Sequence, residues 1–263
     1  MVDLAILFWF YKDPKVTLNH LRLIKRTNPK LKIYGLYGGP RSSKKSFREK
    51  LAPLLDSFYA TPSQDKEWKW RHGDLAILDW YEKEGMDLKW ESIALVQWDM
   101  LVFDSLLNWF SDLKKGQIFL SGLRTISKVL ELGWYWTSPT RKESRHYREF
   151  KKFIKIRFNY SSQLLACLFI FGIFPRDFFE AYRKIESREI GFLEYKVPTY
   201  AKIFKIPFYE RLIGTYWGDW FRLSGNAPLN ALPKEISTSY INKELAKPEG
   251  WRFFHPYFKK WEK

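Results

Sequence analysis

Four stretches in the first 110 residues are apolar with little alternation: residues 4–11, 31–37, 57–60 and 93–98. A strand buried on both faces reads as such a run, because neither side meets water. Lys12-Asp13-Pro14 breaks the first stretch and Gly38-Gly39-Pro40 stops the second. Between them Leu18, Leu21, Leu23 and Ile24 fall at helical spacing among basic residues, and Asn28-Pro29 closes that helix. A strand, helix, strand unit of this length predicts a right-handed parallel crossover. Residues 41–50 are polar and basic, residues 51–55 are apolar, and residues 75–81 predict another helix. Strands alternating with helices predict a mostly parallel α/β sheet.

The pattern is less regular after residue 110. Residues 117–120 predict a strand and residues 178–185 a helix. Residues 137–152 are charged and expected to face solvent. The longest apolar run, residues 164–174, is too short for a membrane span, which needs about 20 residues, and is expected as a buried helix or strand. Residues 191–198, ending in Val197-Pro198, are expected to be extended or turned, with a short helix over 199–204. From Gly214 the chain is rich in Gly, Pro, Asn and aromatic residues and reads as a loop-rich tail over the sheet. No repeat or low-complexity linker divides the chain. It is expected to form one domain over residues 1–263, with a nucleotide-facing half, 1–110, and an acceptor-facing half, 111–263.

Composition narrows the classes. With 46% hydrophobic residues the chain of 263 has ample material for a core. A single cysteine, Cys167, excludes an intrachain disulfide and a Cys/His zinc cluster. That cysteine usage fits a reducing compartment. The N-terminus lacks a basic region and a cleavage site, so the expected location is cytoplasmic, with peripheral contact to a membrane open. A net charge of +16 calls for an anionic partner: nucleic acid, an anionic membrane surface or a phosphorylated ligand. Residues 151–158 interleave basic and aromatic side chains, as single-strand nucleic-acid binders do. No RNA-recognition, helix-turn-helix or zinc-finger pattern accompanies them. The nucleophile-elbow and phosphate-loop motifs of hydrolases and P-loop enzymes are missing.

Candidate chemistry starts at Gln97-Trp98-Asp99, where an apolar strand runs into one carboxylate. Ligands of open α/β sheets bind beyond the carboxyl ends of strands. Asp99 is therefore a candidate metal or phosphate-linked residue. Arg71-His72-Gly73-Asp74 precedes the helix over 75–81. Its glycine permits close approach, and a helix start with Arg71 beside it favours an anion. Asp74 serves equally as a helix cap. Trp98, Trp134, Trp136 and Trp217 are candidates for lining a cleft, against core packing.

The order of these features resembles that of the GT-A glycosyltransferases, the nucleotide-diphospho-sugar transferase fold. The resemblance covers most of the chain. It implies a Rossmann-like, mostly parallel central sheet flanked by helices, with a loop-rich C-terminal segment. Tyr11, Lys12 and Asp13 stand where the family holds the nucleotide. Arg71 to Asp74 resemble its glycine-containing loop. Gln97-Trp98-Asp99 stands at its Asp-x-Asp motif, with Gln97 in place of the first acid. Glu194, in Gly191-Phe192-Leu193-Glu194, resembles its acceptor-side acid, with Tyr195 where another Asp is usual. His255 resembles its C-terminal histidine.

The resemblance implies transfer of a sugar from a UDP- or GDP-sugar donor to a hydroxyl of a glycan, glycolipid or glycoprotein. It further implies Mn²⁺ or Mg²⁺ on Asp99 and His255, and Glu194 as general base with inversion. The rival readings are a basic, aromatic-rich nucleic-acid-binding protein and a nucleotidyltransferase on the same fold.

Overall fold

The computed structural model describes residues 2–218 and 227–262. In chain order the first half contains β1 (Leu4–Phe10), α1 (Pro14–Thr27), β2 (Ile33–Tyr37), α2 (Arg41–Leu51), β3 (Ser57–Ala60), α3 (Lys66–Arg71), α4 (Gly73–Trp80), β4 (Ser92–Gln97), β5 (Leu101–Val102) and α5 (Leu106–Trp109). The second half contains β6 (Phe119–Leu120), β7 (Arg124–Thr125), α6 (Ile126–Glu131), α7 (Ser144–Phe158), β8 (Leu165–Ala166), β9 (Gly172–Pro175), α8 (Arg176–Tyr182), α9 (Leu193–Ile203), α10 (Thr238–Leu245) and β10 (Phe253–Phe254).

The central sheet has six strands in the order β3-β2-β1-β4-β9-β6. β3, β2, β1 and β4 are parallel, and β9 runs antiparallel between β4 and β6. Every residue of β1 is buried. Its side chains alternate between two cores: Ala5, Leu7 and Trp9 enter one with α4, α8 and α9, and Leu4, Ile6, Phe8 and Phe10 enter the other with α1 and α2. This two-sided burial is why the strand is an unbroken apolar run. The sheet is the Rossmann-like, mostly parallel one expected, with helices on both faces.

α1 begins where it does because Asp13 Oδ1 accepts from the backbone N–H groups of Lys15 and Val16, with Pro14 in the first turn. Lys25 and Arg26 complement its C-terminal carbonyls.

Two expectations are corrected in the second half. Residues 191–198 are not extended, because α9 runs without a break from Leu193 to Ile203 with Pro198 inside it. A proline lacks the N–H that would bond the carbonyl four residues earlier. That carbonyl, on Glu194, instead accepts from Cys167 N at 2.8 Å, so the helix survives its proline. The apolar run 164–174 is neither one helix nor one strand but β8, a turn and the start of β9. Residues 144–158 form α7, which buries Phe150 and Ile154 and leaves its charged face in solvent.

The tail is packed rather than merely loop-rich. β10 pairs antiparallel with β5, and Ile236, Ile241, Phe254, Tyr257 and Trp261 form a third core with Leu23 and Leu101. Residues 219–226 of the tail lie outside the described residues. No helix among the described residues is long and apolar enough to cross a membrane.

Candidate active site

The parallel strands deliver Tyr11 to Asp13, Gly38 and Trp98-Asp99 to one end of the sheet, the carboxyl ends of β1, β2 and β4. β1 is followed by β2 on one side and pairs with β4 on the other, so the chain reverses direction across the sheet at β1/β4. Such a switch point is where an open α/β sheet leaves a crevice.

Asp99 sits in a turn after β4 closed by Met100 N bonding to Gln97 O at 3.0 Å. It is 6% exposed, and its Oδ1 is buried without a hydrogen-bond partner. Residue 255 reaches it because β10 pairs Phe254 with Leu101, which leaves the next residue beside the turn. His255 Nε2 lies 3.5 Å from Asp99 Oδ1. The other ring nitrogen, Nδ1, is 2.7 Å from the carbonyl of Asn230, which only accepts, so Nδ1 carries the hydrogen. In the neutral ring, Nε2 therefore turns its lone pair toward a carboxylate oxygen. A positive charge between the two atoms relieves that opposition. The orphaned Oδ1 and the aimed lone pair fit a divalent cation, as a hard oxygen and an imidazole nitrogen do in metal sites. Among the described residues no group of three His, Cys, Asp or Glu side chains converges. The protein offers two ligands, which leaves the remaining positions to phosphate oxygens and water.

The surroundings hold this pair in place. Asn230 N and Tyr257 N donate to the carbonyls of His255 and Asp99, at 3.0 and 2.8 Å. His20, fully buried on α1, bridges the carbonyls of Trp98, 2.8 Å from Nδ1, and Lys259, 2.9 Å from Nε2. Burial lowers its pKa against the pull of both carbonyls. Tyr11 packs edge-on against Trp98, with centroids 5.9 Å apart. Burial of its hydroxyl and then the nearby charge of Asp99 push its pKa up to about 12. Lys12 and Asp13 are exposed beside it, with one oxygen of Asp13 engaged as the cap of α1. Trp98 is buried between Tyr11 and Phe258 rather than lining an open cleft.

Gln97 points across the sheet. Its amide donates to the carbonyls of Phe169 and Ile170 at 3.0 and 3.2 Å. A carboxylate cannot make either bond, which gives the departure from Asp-x-Asp a structural reason. Gln97→Glu is accordingly expected to destabilise the protein by about 2 kcal/mol, because a charge would face two unpaired carbonyls. Thermal unfolding should show a fall in Tm of about 4–8 °C, and an unchanged Tm would remove this role.

The same Phe169 peptide meets Glu194 from its other side, since Phe169 N donates to Glu194 Oε1 at 3.0 Å. Gln97 and Glu194 thus converge on one residue, which ties the acid to the mouth of β4. Desolvation raises the Glu194 pKa to about 7 against the pull of that N–H.

The 71–74 loop is placed differently from a ligand-facing turn. A Cβ on Gly73 would stand 2.5 Å from the Trp9 ring, and one on Gly38 would stand 2.8 Å from Trp9 Nε1. The two glycines clasp this indole, whose Nε1 is buried without a partner. Asp74 is not a cap. It is buried among α4, α8 and α9, paired with Lys196 at 2.9 Å and accepting from Tyr182 Oη. His72 borders this cluster with its pKa lowered by burial and by Lys196. Arg71 pairs with Glu67 at 2.9 Å and approaches His146. Trp136 stacks on Phe192 at 4.0 Å, and Trp134 lies 5.5 Å from Trp217, which donates to Gly122 O.

Sequence reasoning missed Lys69. It is buried at the mouth of β2, donates to Gly38 O at 2.5 Å, and has no carboxylate within ion-pair distance among the described residues. Burial lowers its pKa. Its position in Trp68-Lys69-Trp70-Arg71, a basic helix just before the glycine loop, was the available signal. His20 carried a weaker one, as an imidazole among the apolar positions of α1.

The chain matches no family model and no curated protein sequence. Among solved structures it is similar to the bifunctional glycosyltransferase WbbM in its apo form, 10% identical with a TM-score of 0.49 over 98% of this chain. This chain spans only 46% of WbbM. It is similar to mouse xyloside xylosyltransferase 1, apo form, at 12% identity and TM-score 0.47 over the whole of both chains. A cytidylyltransferase from Leptospira borgpetersenii is 12% identical with a TM-score of 0.44, over 80% of this chain and 76% of that one.

Proposed function

We propose that this protein is a metal-dependent glycosyltransferase that moves a sugar from a nucleoside-diphosphate donor to an acceptor hydroxyl. The reading rests on one observation above others: the buried, unpartnered Asp99 Oδ1 facing the lone pair of His255 Nε2 at the β1/β4 switch point. A carboxylate and an imidazole opposed in this way call for a cation, and a two-ligand site calls for phosphate oxygens to complete it.

On this reading residues 1–110 hold the donor and residues 111–263 carry the acceptor side. Tyr11, Lys12 and Asp13 border the nucleotide at the mouth of β1. Lys69 places a buried positive charge at the mouth of β2, where an anion would relieve its missing counter-charge. Mn²⁺ or Mg²⁺ on Asp99 and His255 would neutralise the charge that builds on the diphosphate leaving group. Glu194, held by Phe169 N, takes the proton from the acceptor hydroxyl as it attacks, which inverts the anomeric centre. Its raised pKa suits a base working near neutrality.

The test is a thermal-shift and hydrolysis screen of UDP-, GDP-, CMP- and dTDP-sugars with and without Mn²⁺. One donor series should stabilise the protein, and only with metal present. Release of nucleoside diphosphate identifies a sugar transferase, and release of pyrophosphate from a nucleotide and a sugar phosphate identifies a nucleotidyltransferase instead. No metal-dependent stabilisation by any donor sinks the proposal.

A further inference from the structure

Five of the seven exposed large apolar side chains among the described residues lie on α3, on α6 and the segment after it, and on α7. Trp70 on α3 is 58% exposed, Leu130 on α6 40%, Leu132 47%, Tyr135 44% and Ile156 on α7 75%. Contacts link most of these elements. Trp70 lies 5.1 Å from Trp136, Tyr135 lies 5.3 Å from Trp136, and Arg71, next to Trp70, reaches His146 on α7. Residues 128–157 carry nine Lys or Arg against three Glu. On α7, Arg145, Arg148, Lys151, Lys152, Lys155 and Arg157 are all exposed. Arg145 and Arg157 are paired with Glu149 and Glu186, at 2.8 and 3.6 Å. Lys152 and Lys155 make no ion pair among the described residues and flank the solvent side of the helix with Ile156.

We infer that the surface formed by the solvent side of α7 together with the exposed Trp70, Leu130, Leu132 and Tyr135 docks the protein onto anionic lipid bilayers. Charge complementarity selects an anionic partner, and the aliphatic residues select among anionic partners. Leu130, Leu132 and Ile156 find no counterpart on a nucleic-acid backbone, whereas a bilayer interface accepts aliphatic side chains beside Trp and Tyr rings and lets Lys and Arg reach the headgroups. The docking does not depend on the donor chemistry. Where the transferase reading holds, the stack Trp70–Trp136–Phe192 leads to Glu194, two residues further on, which sets the acceptor side against the membrane.

The experiment is co-sedimentation of the full chain with phosphatidylcholine vesicles, with and without phosphatidylglycerol, at low and physiological salt. Binding is expected to the anionic vesicles alone and to weaken as salt rises. Each headgroup-facing cation accounts for about fivefold in partition, so Lys152→Glu/Lys155→Glu should bind at least about 25-fold more weakly. Leu132→Ser/Tyr135→Ser should lose about tenfold, at both salt concentrations. These positions are exposed, so both variants should keep the wild-type Tm and the same donor-induced thermal shift. That shift separates loss of docking from failure of the transferase reading. The inference is overturned by absence of binding to anionic vesicles at low salt, or by wild-type binding of both variants. Tighter binding to a single-stranded oligonucleotide that ignores Leu132→Ser/Tyr135→Ser would assign the surface to nucleic acid and overturn it equally.

Discussion

Asp99→Asn is expected to abolish Mn²⁺-dependent donor binding and to lower turnover by roughly 10³-fold, equivalent to about 4 kcal/mol of lost charge stabilisation. The protein should stay folded, and the geometry gives a reason to expect slightly more. With the imidazole neutral, Oδ1 of the wild type is buried without a donor and faces the Nε2 lone pair at 3.5 Å. An amide nitrogen at that position donates to Nε2, replacing an opposition with a hydrogen bond worth about 1 kcal/mol. A rise in Tm of about 2–4 °C should therefore accompany the loss of activity, the signature of a group kept for function at a cost in stability. Thermal shift with and without donor and Mn²⁺ measures both effects. Unchanged donor affinity and metal dependence in the variant would remove Asp99 from the site. A collapse of Tm would give it a structural role.

The first half of the fold was legible because its strands obey a local rule. β1, β2 and β4 are buried on both faces, so they appear as apolar runs, and Asp13-Pro14 and Gly38-Gly39 mark the ends of β1 and β2. The second half turns on contacts between distant residues. Val197-Pro198 reads as a stop, and α9 continues because the Glu194 carbonyl finds Cys167 N. Nothing local announces that partner. β10 is two residues long and exists because β5 pairs with it.

The candidate site divides in the same way. Asp99 was visible as a carboxylate ending an apolar strand, and His255 entered through order alone. Their apposition follows from the β5–β10 register, which no periodicity carries. Gly73 marked a close approach without naming what approaches, and in this fold the Trp9 ring fills that space. Gln97 looked like a lost ligand and is an amide bonded to the carbonyls of Phe169 and Ile170.

Glu194→Gln is expected to lower turnover about 10²–10⁴-fold, as removal of a general base does, while leaving donor affinity near the wild-type value. Glu194 also makes a pH-dependent contribution to stability, and its sign is opposite to that of most carboxylates. Desolvation raises the folded-state pKa to about 7 from an ordinary 4.5. Burial of the protonated form is tolerated in full below the unfolded value, and the stability it permits is lost as pH rises from there through about 7. Above that pH the buried charge costs up to about 3 kcal/mol, at about 1.4 kcal/mol per pKa unit. Glutamine keeps an oxygen for Phe169 N and never ionises. The variant should match the wild type in Tm near pH 4.5 and exceed it at pH 8, while its residual activity loses the rise through pH 7 that the ionising base imposes. Two paired measurements check this: the pH profile of kcat and the pH dependence of Tm for both proteins. A stability difference without an activity difference would leave Glu194 as a buried carboxyl that anchors the Phe169 loop. Lost donor affinity would move it into the nucleotide site. Only loss of turnover, coupled to gain of stability at alkaline pH, makes it the base.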